Sequence, residues 1–334
     1  MLMNPSNMVS STLMLTSTLM ALSSQNWFFI WASLEINLFS FLPIIMSSKF
    51  NYECESAIKY FMAQAIGSTF MILSSYSLLM NFFPYSKMSS LILLLAISLK
   101  LGMFPCHFWF PSTLLSMGWV QALILSTWQK LAPLSILTFL ISPLKSIMYP
   151  MILMNLLIGG IMGLNQNNLK SIMAYSSIAH LGWMLALMLL NKALMIPYFI
   201  MYASIIIPLF LLFKNNNNNL LNHPLKLTTI SGPYMIMTML TILSLAGMPP
   251  MSGFTPKLMV ILSIINSEYT LSIMMMIISI MTLYFYLNMT INFLIYQFTN
   301  NSKMLKNFNY WKMLPPTFLL TPALFLIYAL TYIH

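Results

Sequence analysis

Apolar stretches of membrane-spanning length occupy most of this 334-residue chain. A transmembrane helix needs about 20 predominantly apolar residues, because the hydrocarbon core of a bilayer is about 30 Å thick. Only 5% of the residues are charged, whereas soluble domains are about 25% charged. Helices and closed barrels are the structures that satisfy every backbone hydrogen bond inside a bilayer. The chain is therefore predicted to be an all-α polytopic membrane protein.

About eleven transmembrane helices are predicted, at residues 8–24, 26–47, 57–82, 90–117, 119–140, 146–163, 170–190, 194–213, 229–266, 271–296 and 314–333. The stretches 90–117 and 229–266 are too long for one straight crossing and carry prolines near their middles. Proline removes a backbone donor and clashes with the carbonyl one turn earlier, so both helices should break. The predicted break residues are Pro105, Pro133, Pro249, Pro250 and Pro256.

The loop lysines indicate whether 229–266 crosses the membrane once or twice, because lysine is enriched on one side of a membrane protein. One broken span places eight loop lysines on one side and three on the other, whereas two spans would give five and six. The asymmetric arrangement is preferred. It puts the N-terminus on the lysine-rich side and the C-terminus on the opposite side.

The order of polar residues suggests an internal repeat. Glu35 lies in the second span and precedes the first broken helix. Five spans later, His180 lies at the corresponding position and precedes the second broken helix. An offset of five spans implies opposite orientation, as in the inverted repeats of many secondary transporters. We therefore predict one transmembrane antiporter-like domain over residues 1–334, with repeats at about 8–140 and 146–296 and a terminal helix at about 314–333.

Four charged residues lie well inside apolar, membrane-length stretches, namely Glu35, Lys100, Lys130 and Lys257. One ionised side chain at the centre of a spanning helix costs about 2.5–3.5 kcal/mol, so the four together oppose insertion by roughly 10–14 kcal/mol. Residues of this kind face a wet or paired interior and mark ion or proton pathways. The chain is therefore predicted to be a proton-translocating membrane subunit.

Each of these residues also has a structural interpretation. Glu35 is a proton carrier, the counter-ion of a buried lysine, or one half of a structural ion pair. Lys130 is interpreted as a relay, since desolvation favours its neutral form and a nearby carboxylate its charged form; the alternative is snorkelling to the interface. Lys100 and Lys257 adjoin the helix breaks, where they either transfer protons or stabilise a rigid kink. His180 is a relay or a hydrogen-bonded core residue.

The remaining composition excludes several function classes. All 14 basic residues are lysines, and apart from the buried ones they are scattered one or two per loop, so no basic groove for nucleic acid is expected. Cys54 and Cys106 are too few for an iron–sulfur cluster or a structural zinc, each of which needs four ligands. No glycine-rich nucleotide motif is present. We expect no catalytic residue, metal or redox cofactor on this chain. In Gly159–Gly163, a GxxxG pattern predicts close helix packing.

Several motifs follow one another along the chain: Trp31–Pro43, Lys100–Pro111, Thr127–Pro133, Gly163–Gln166, Ala174–Trp183 and Gly247–Lys257. Together they resemble the NADH dehydrogenase subunit 2 family of animal mitochondrial respiratory complex I, over nearly the whole chain. The resemblance implies an antiporter-like, proton-translocating subunit in the membrane arm of NADH:ubiquinone oxidoreductase. It also implies the mitochondrial inner membrane, with the N-terminus on the matrix side.

The resemblance further implies roles and partners. Glu35 and Lys100 would form the ion pair of the first half-channel, Lys130 the central relay, and Lys257 the group near the outlet. NADH, FMN, the iron–sulfur clusters and most of the ubiquinone site would belong to other subunits. The expected partners are other membrane-arm and accessory subunits and inner-membrane lipids, with no nucleic acid. The chain departs from the family pattern at two positions. Ser112 stands where many relatives have a glutamate, and Lys170 alone stands where they have a basic pair. Both departures concern loop contacts with neighbouring subunits.

Two other classes of function compete with the proton-pumping subunit. A free-standing cation/proton antiporter that binds sodium directly would favour several buried carboxylates, and Glu35 is the only acid expected to be deeply buried. A structural spacer between active subunits would tolerate neutralisation of all three buried lysines. We favour the pumping subunit, in which quinone reduction elsewhere drives protonation along Glu35–Lys100, Lys130, His180 and Lys257.

Overall fold

The computed structural model describes residues 5–48, 51–79, 86–141, 143–216, 232–249, 251–265 and 268–299. These residues form α-helices joined by short connections, so the fold is all-α, as predicted. The chain divides into two compact units, Met1–Met151 and Ile152–His334. Each unit is described by itself.

The first unit contains seven helices and the beginning of an eighth. They are α1 (Pro5–Ser23), α2 (Trp27–Ile45), α3 (Asn51–Leu79), α4 (Ser86–Leu101), α5 (Trp109–Ser116), α6 (Trp119–Ser126), α7 (Trp128–Leu140) and α8 (Lys145–Leu164). Helix α3 packs against α2, α4 and α5, while α7 packs against α1, α4 and α6. Apolar side chains such as Phe41, Leu93 and Ile97 are fully buried between them. Helices α3 and α7 therefore form the centre of this unit.

The second unit is built around α9. Its helices after α8 are α9 (Leu169–Leu190), α10 (Met195–Asn216), α11 (Gly232–Ala246), α12 (Phe254–Ile265) and α13 (Tyr269–Thr299). Nearly every residue of α9 is buried, and the helix packs against α10 and α12. A Cβ on Gly159 would lie 2.8 Å from the Tyr175 carbonyl oxygen. The predicted close packing at the GxxxG pattern is thus confirmed, and it brings α8 against α9.

Six segments of the described chain are long and apolar enough to cross a membrane: Trp27–Ile45, Trp119–Leu140, Lys145–Leu164, Leu169–Leu190, Lys192–Lys214 and Tyr269–Ile295. Ile236–Ala246 and Phe254–Ile265 are shorter apolar helices. Every predicted stretch contains described helix except the terminal one, 314–333, which lies outside the described residues. The chain is a multi-pass membrane protein.

Both of the long predicted stretches are interrupted. Helices α4 and α5 are separated by residues 102–108, and α11 and α12 by residues 247–253, so both gaps are seven residues long. Pro105 lies in the first gap and Pro249 in the second. Pro250 lies outside the described residues. The two breaks predicted from these prolines are therefore confirmed.

Each gap begins with the same backbone cap. Gly102 and Gly247 directly follow the last helical residue and have φ angles of 67° and 77°. Glycine adopts this left-handed conformation without the steric cost that a Cβ brings. The amide after each glycine donates to the carbonyl five residues earlier, at 3.2 Å in the first gap and 3.4 Å in the second. Both interrupted helices thus end in a Schellman-type cap.

Two predicted break residues lie inside helices, which corrects the prediction for Pro133 and Pro256. Pro133 belongs to α7, and the interruption of that segment lies earlier, at Thr127, where φ is −116° and ψ is −75°. A proline ring clashes with the carbonyl four residues before it, here that of Gln129 beside the interruption. Pro256 lies in the first turn of α12, where a proline removes no helical hydrogen bond.

Candidate functional site

A cavity in the first unit is lined by both of its buried lysines, Lys100 and Lys130. The centre of a water molecule can occupy a volume of about 20 Å³ in this cavity. A cavity that holds one water needs about 10–15 Å³ by the same measure. The polar side chains that line it are Asn37, Tyr60, Gln64 and Gln129. The cavity is therefore polar and large enough for water.

Lys130 is the most deeply buried of the predicted site residues, with 2% of its surface exposed. It follows the interruption at Thr127, and its amide donates to the Thr127 carbonyl at 3.2 Å. Its Nζ lies 5.2 Å from the centroid of the Phe110 ring, within the range at which an aromatic face attracts a cation. The ammonium group is held inside the protein, and it does not extend to the surface as the snorkelling alternative requires.

Lys100 and Glu35 lie on different helices, α4 and α2. Lys100 is buried in the last turn of α4, and the Glu35 carboxylate acts electrostatically on it and on Tyr60. The exposed Lys59 and Glu55 form a direct ion pair at 2.5 Å, whereas no ion pair joins Lys100 to Glu35 among the described residues. Helix α3 packs against both α2 and α4. The implied direct contact is therefore corrected to an electrostatic one.

Side chains satisfy the carbonyls at the end of α4. The last carbonyls of any helix lack intrahelical donors, and inside a membrane the protein has to supply them. Trp109 Nε1 donates to the Leu99 carbonyl at 2.9 Å. Gln64 Nε2 donates to the Lys100 carbonyl at 3.1 Å. The first break is thus stabilised by residues that also line the cavity.

Asn37 and Gln129 form a reciprocal amide pair across the first cavity. Asn37 Nδ2 donates to Gln129 Oε1 at 2.9 Å, and Gln129 Nε2 donates to Asn37 Oδ1 at 3.2 Å. Both side chains are buried. The pair links α2 to α7 directly beside Lys130, and the sequence patterns did not identify it.

A second cavity, in the second unit, is lined by His180 and Lys257. The centre of a water molecule can occupy a volume of about 10 Å³ in this cavity, which is near the lower limit for holding one water. Lys257 is 7% exposed, and its Nζ donates to the Ala246 carbonyl at 2.7 Å. The same Nζ lies 5.9 Å from the centroid of the Trp183 ring. A buried lysine therefore occupies a polar, aromatic-walled cavity in this unit too.

Gly247 makes the contact between Lys257 and the end of α11 possible. A Cβ at this glycine would lie 2.8 Å from the Lys257 Cδ and 3.0 Å from its Nζ. The ammonium group reaches the Ala246 carbonyl only because no side chain stands there. The break and the lysine are thus one structural feature.

His180 lies in the middle of α9, in contact with a tyrosine. Its Nδ1 lies 2.9 Å from the Tyr198 hydroxyl, and both residues are buried. The structure therefore brings together Lys100, Lys130 and, electrostatically, Glu35 in the first unit, and His180 with Lys257 in the second.

Glu35 was predicted to be the deeply buried acidic residue, but the structure buries Glu53 more deeply. Glu53 is 5% exposed, whereas Glu35 is only half-buried although its Oε1 is enclosed and lacks a hydrogen-bond partner among the described residues. Glu53 lies in the first turn of α3, where the positive end of the helix dipole favours a carboxylate. No group of three or more His, Cys, Asp or Glu side chains suited to a metal ion occurs in the described ranges.

Comparison with known proteins identifies the family. Residues 24–282 match the family described as NADH:quinone oxidoreductase/Mrp antiporter, TM. NADH-ubiquinone oxidoreductase chain 2 of Lumbricus terrestris is 46% identical over 292 residues, which cover 86% of this chain and 87% of that protein. The protein of the same name from Anopheles gambiae is 36% identical over 309 residues, 90% of each chain. The chain belongs to the NADH-ubiquinone oxidoreductase chain 2 family.

Solved structures show that this chain 2 family member has the antiporter-like fold. A chain of respiratory complex I from Thermus thermophilus with bound aureothin superposes with a TM-score of 0.80 at 18% identity, covering 98% of this chain and 78% of that one. A chain of the Mrp complex from Dietzia sp. DQ12-45-1b superposes with a TM-score of 0.75 at 17% identity, covering 84% and 59%.

The amide pair of this chain 2 family member yields a stability prediction. Asn37→Leu should destabilise the fold by about 1–3 kcal/mol, because it leaves the buried Gln129 amide without its partner. The double variant Asn37→Leu/Gln129→Leu should recover most of that loss, since replacing both partners with apolar groups is nearly neutral. The melting temperature of the full chain in detergent, followed by circular dichroism, measures both. A double variant less stable than the single one would contradict the pairing.

Proposed function

We propose that this chain is a proton-translocating subunit in the membrane arm of NADH:ubiquinone oxidoreductase, respiratory complex I. Its relatives carry the name of that oxidoreductase over most of their length. The observation that carries the proposal is Lys130, a lysine that is 2% exposed and lines a polar cavity large enough for water. A buried ionisable group beside water in a membrane is suited to gain and lose a proton.

The proposed relay uses Glu35, Lys100 and Lys130 in the first unit and His180 and Lys257 in the second. Each lysine Nζ holds a proton in its charged form and releases it in its neutral form. A nearby opposite charge favours the charged form of a lysine, so in this proposal a change of charge at Glu35 shifts Lys100 between its two forms. Quinone reduction in other subunits supplies the driving force for these changes.

The redox chemistry is assigned to other parts of the complex. In this proposal NADH, FMN, the iron–sulfur clusters and ubiquinone are handled by other subunits, and this chain carries no redox site. Its partners are the neighbouring membrane-arm and accessory subunits and the lipids of the mitochondrial inner membrane. The N-terminus is placed on the matrix side, following the lysine asymmetry of the loops.

The free-standing antiporter and the structural spacer are not favoured. The first gains support from the fold of the Mrp chain alone, whereas the named relatives that match most of this chain are oxidoreductase chains. The structural spacer gives no reason for three buried lysines that line two polar cavities.

Native electrophoresis of inner mitochondrial membranes tests the proposed membership. The gel is stained for NADH oxidation, and the active band is sequenced by mass spectrometry. We expect this chain to migrate with a very large NADH-oxidising assembly. Migration as a small band without that activity would overturn the proposal, and sodium and potassium flux would then be measured.

A further inference from the structure

The second cavity contains a tyrosine that is not part of the proposed relay. Tyr286 on α13 is 1% exposed and lines the cavity together with His180 and Lys257. Its hydroxyl is enclosed and has no hydrogen-bond partner in the described part of the chain. A buried hydroxyl without a partner costs about 1–3 kcal/mol. Binding of a polar molecule that supplies the missing hydrogen bond would therefore be favourable in this cavity.

The neighbouring hydroxyl groups do not donate to Tyr286. Ser176 lies beside it, but the Ser176 hydroxyl donates to the Met173 carbonyl at 2.8 Å. Thr282 also lines the cavity and donates to the Ser279 carbonyl at 2.8 Å. Both hydroxyl oxygens keep lone pairs that can accept a hydrogen bond, so the cavity suits a molecule with two donors.

Lys257 supplies donors to the same space. One of its three N–H groups is used by the Ala246 carbonyl, and an ammonium group carries three donors in all. A water in this cavity can therefore accept from Lys257 and interact with the Tyr286 hydroxyl. An ordered buried water makes about three such hydrogen bonds, and this cavity offers at least that number.

Tyr286 also connects to the histidine side of the cavity. His180 lines the same cavity as Tyr286 and Lys257, and its Nδ1 lies 2.9 Å from the Tyr198 hydroxyl. Tyr286 therefore shares one enclosed space with both the histidine and the lysine of this unit.

We propose that the second cavity holds an ordered water that joins the Tyr286 hydroxyl to the Lys257 ammonium, and that Tyr286 carries protons between Lys257 and His180. This inference rests on the proposed function. The Lys257 Nζ–H bond breaks and the proton passes to the water, which passes one of its own protons to Tyr286 Oη. Tyr286 releases its original proton to the His180 imidazole through the cavity that both residues line. The water and Tyr286 end neutral, while Lys257 becomes an amine and His180 an imidazolium.

Replacement of Tyr286 by phenylalanine tests this route. The variant complex is reconstituted in liposomes, and the number of protons translocated per NADH oxidised is measured. Tyr286→Phe keeps the ring and removes only the hydroxyl, so we expect assembly to be retained and translocation to fall to the level of Lys257→Met. Tyr284→Phe is the matched control, because Tyr284 lies on the same helix with 62% of its surface exposed. It should translocate as the wild type does.

Two outcomes would overturn the inference, and they are separable from failure of the proposed function. Tyr286→Phe translocating like the wild type, while Lys130→Met and Lys257→Met do not, would exclude Tyr286 alone. Normal translocation by both lysine variants would overturn the proposed function itself. If Tyr286→Phe fails to assemble, a high-resolution map of the wild-type complex decides. Water density at about 2.5–3.0 Å from Tyr286 Oη supports the inference, and an empty cavity overturns it.

Discussion

Replacement of Lys130 by methionine is expected to abolish proton translocation through this chain while leaving assembly intact. Methionine approximates the apolar stem of the buried side chain but cannot carry a proton. It also removes a charge whose insertion costs about 2.5–3.5 kcal/mol, so the fold should gain stability. Proton transfer by a positioned acid or base contributes about 10²–10⁴-fold to a rate. Proton transfer past position 130 should therefore slow by at least about 10²-fold in this variant. The number of protons moved per NADH oxidised, in liposomes, measures the loss.

Lys145→Met is the control for this experiment. Lys145 begins α8 and is exposed, so its replacement removes the same charge without touching either cavity. We expect unchanged translocation in that variant. An unaltered proton-to-electron ratio in Lys130→Met would refute the relay and support the structural spacer.

Replacement of Gly253 by alanine is expected to prevent accumulation of the folded chain. A Cβ at this position would overlap the backbone carbonyl oxygen of Ser244, and 3.4 Å away it would meet Ile205 Cδ1. The Ser244 oxygen also accepts a hydrogen bond from the Gly247 amide at 3.1 Å, so it cannot move without opening the cap. Clashes with backbone in a packed core belong to the rare class that costs more than about 4 kcal/mol. Immunoblotting of native gels should show little assembled chain.

Gly160→Ala serves as the comparison in the same unit. A Cβ there would meet Met281 and Ile278 at 3.4 and 3.7 Å, which is ordinary van der Waals contact. This variant should assemble at the wild-type level. Equal amounts of assembled Gly253→Ala and Gly160→Ala chains would show that the second break is not packed as described.

The sequence predicted the features that depend on single residues in apolar surroundings. Lys130 was expected to be buried because of its long apolar flanks, and it is. The breaks at 102–108 and 247–253 were expected because a proline cannot continue a helix hydrogen-bond ladder. Both properties are local, so no knowledge of packing was needed.

The two gaps share a further sequence pattern that supports the internal repeat. Each gap opens with Gly-Met, and prolines follow three and nine residues after the glycine. Gly102 therefore corresponds to Gly247, and Ser112 to Lys257. The lysine of the first unit instead precedes its break, at Lys100. This spacing would have supported the repeat more strongly than the placement of polar residues did.

The features that depend on packing could not be predicted. The interruption at Thr127 was assigned to Pro133, because the position of a proline is visible in a sequence while the site of its strain is not. Tyr286 is one of 16 tyrosines, and nothing local distinguishes it from the exposed Tyr284. The Asn37–Gln129 pair joins positions 92 residues apart. Only the tertiary structure identifies such partners.

The C-terminal ends of the two interrupted helices, α4 and α11, create negative electrostatic potential around them without acidic side chains. A helix carries roughly half a negative charge at its C-terminus, and α4 and α11 both end inside the described bundle. The last carbonyl of α11 binds the Lys257 ammonium directly. A chain with only four acidic residues can therefore hold cationic groups in its interior by means of its main chain. Substitution of surface acids should consequently change the field at Lys257 little, whereas any residue that lets α11 continue unbroken would remove it.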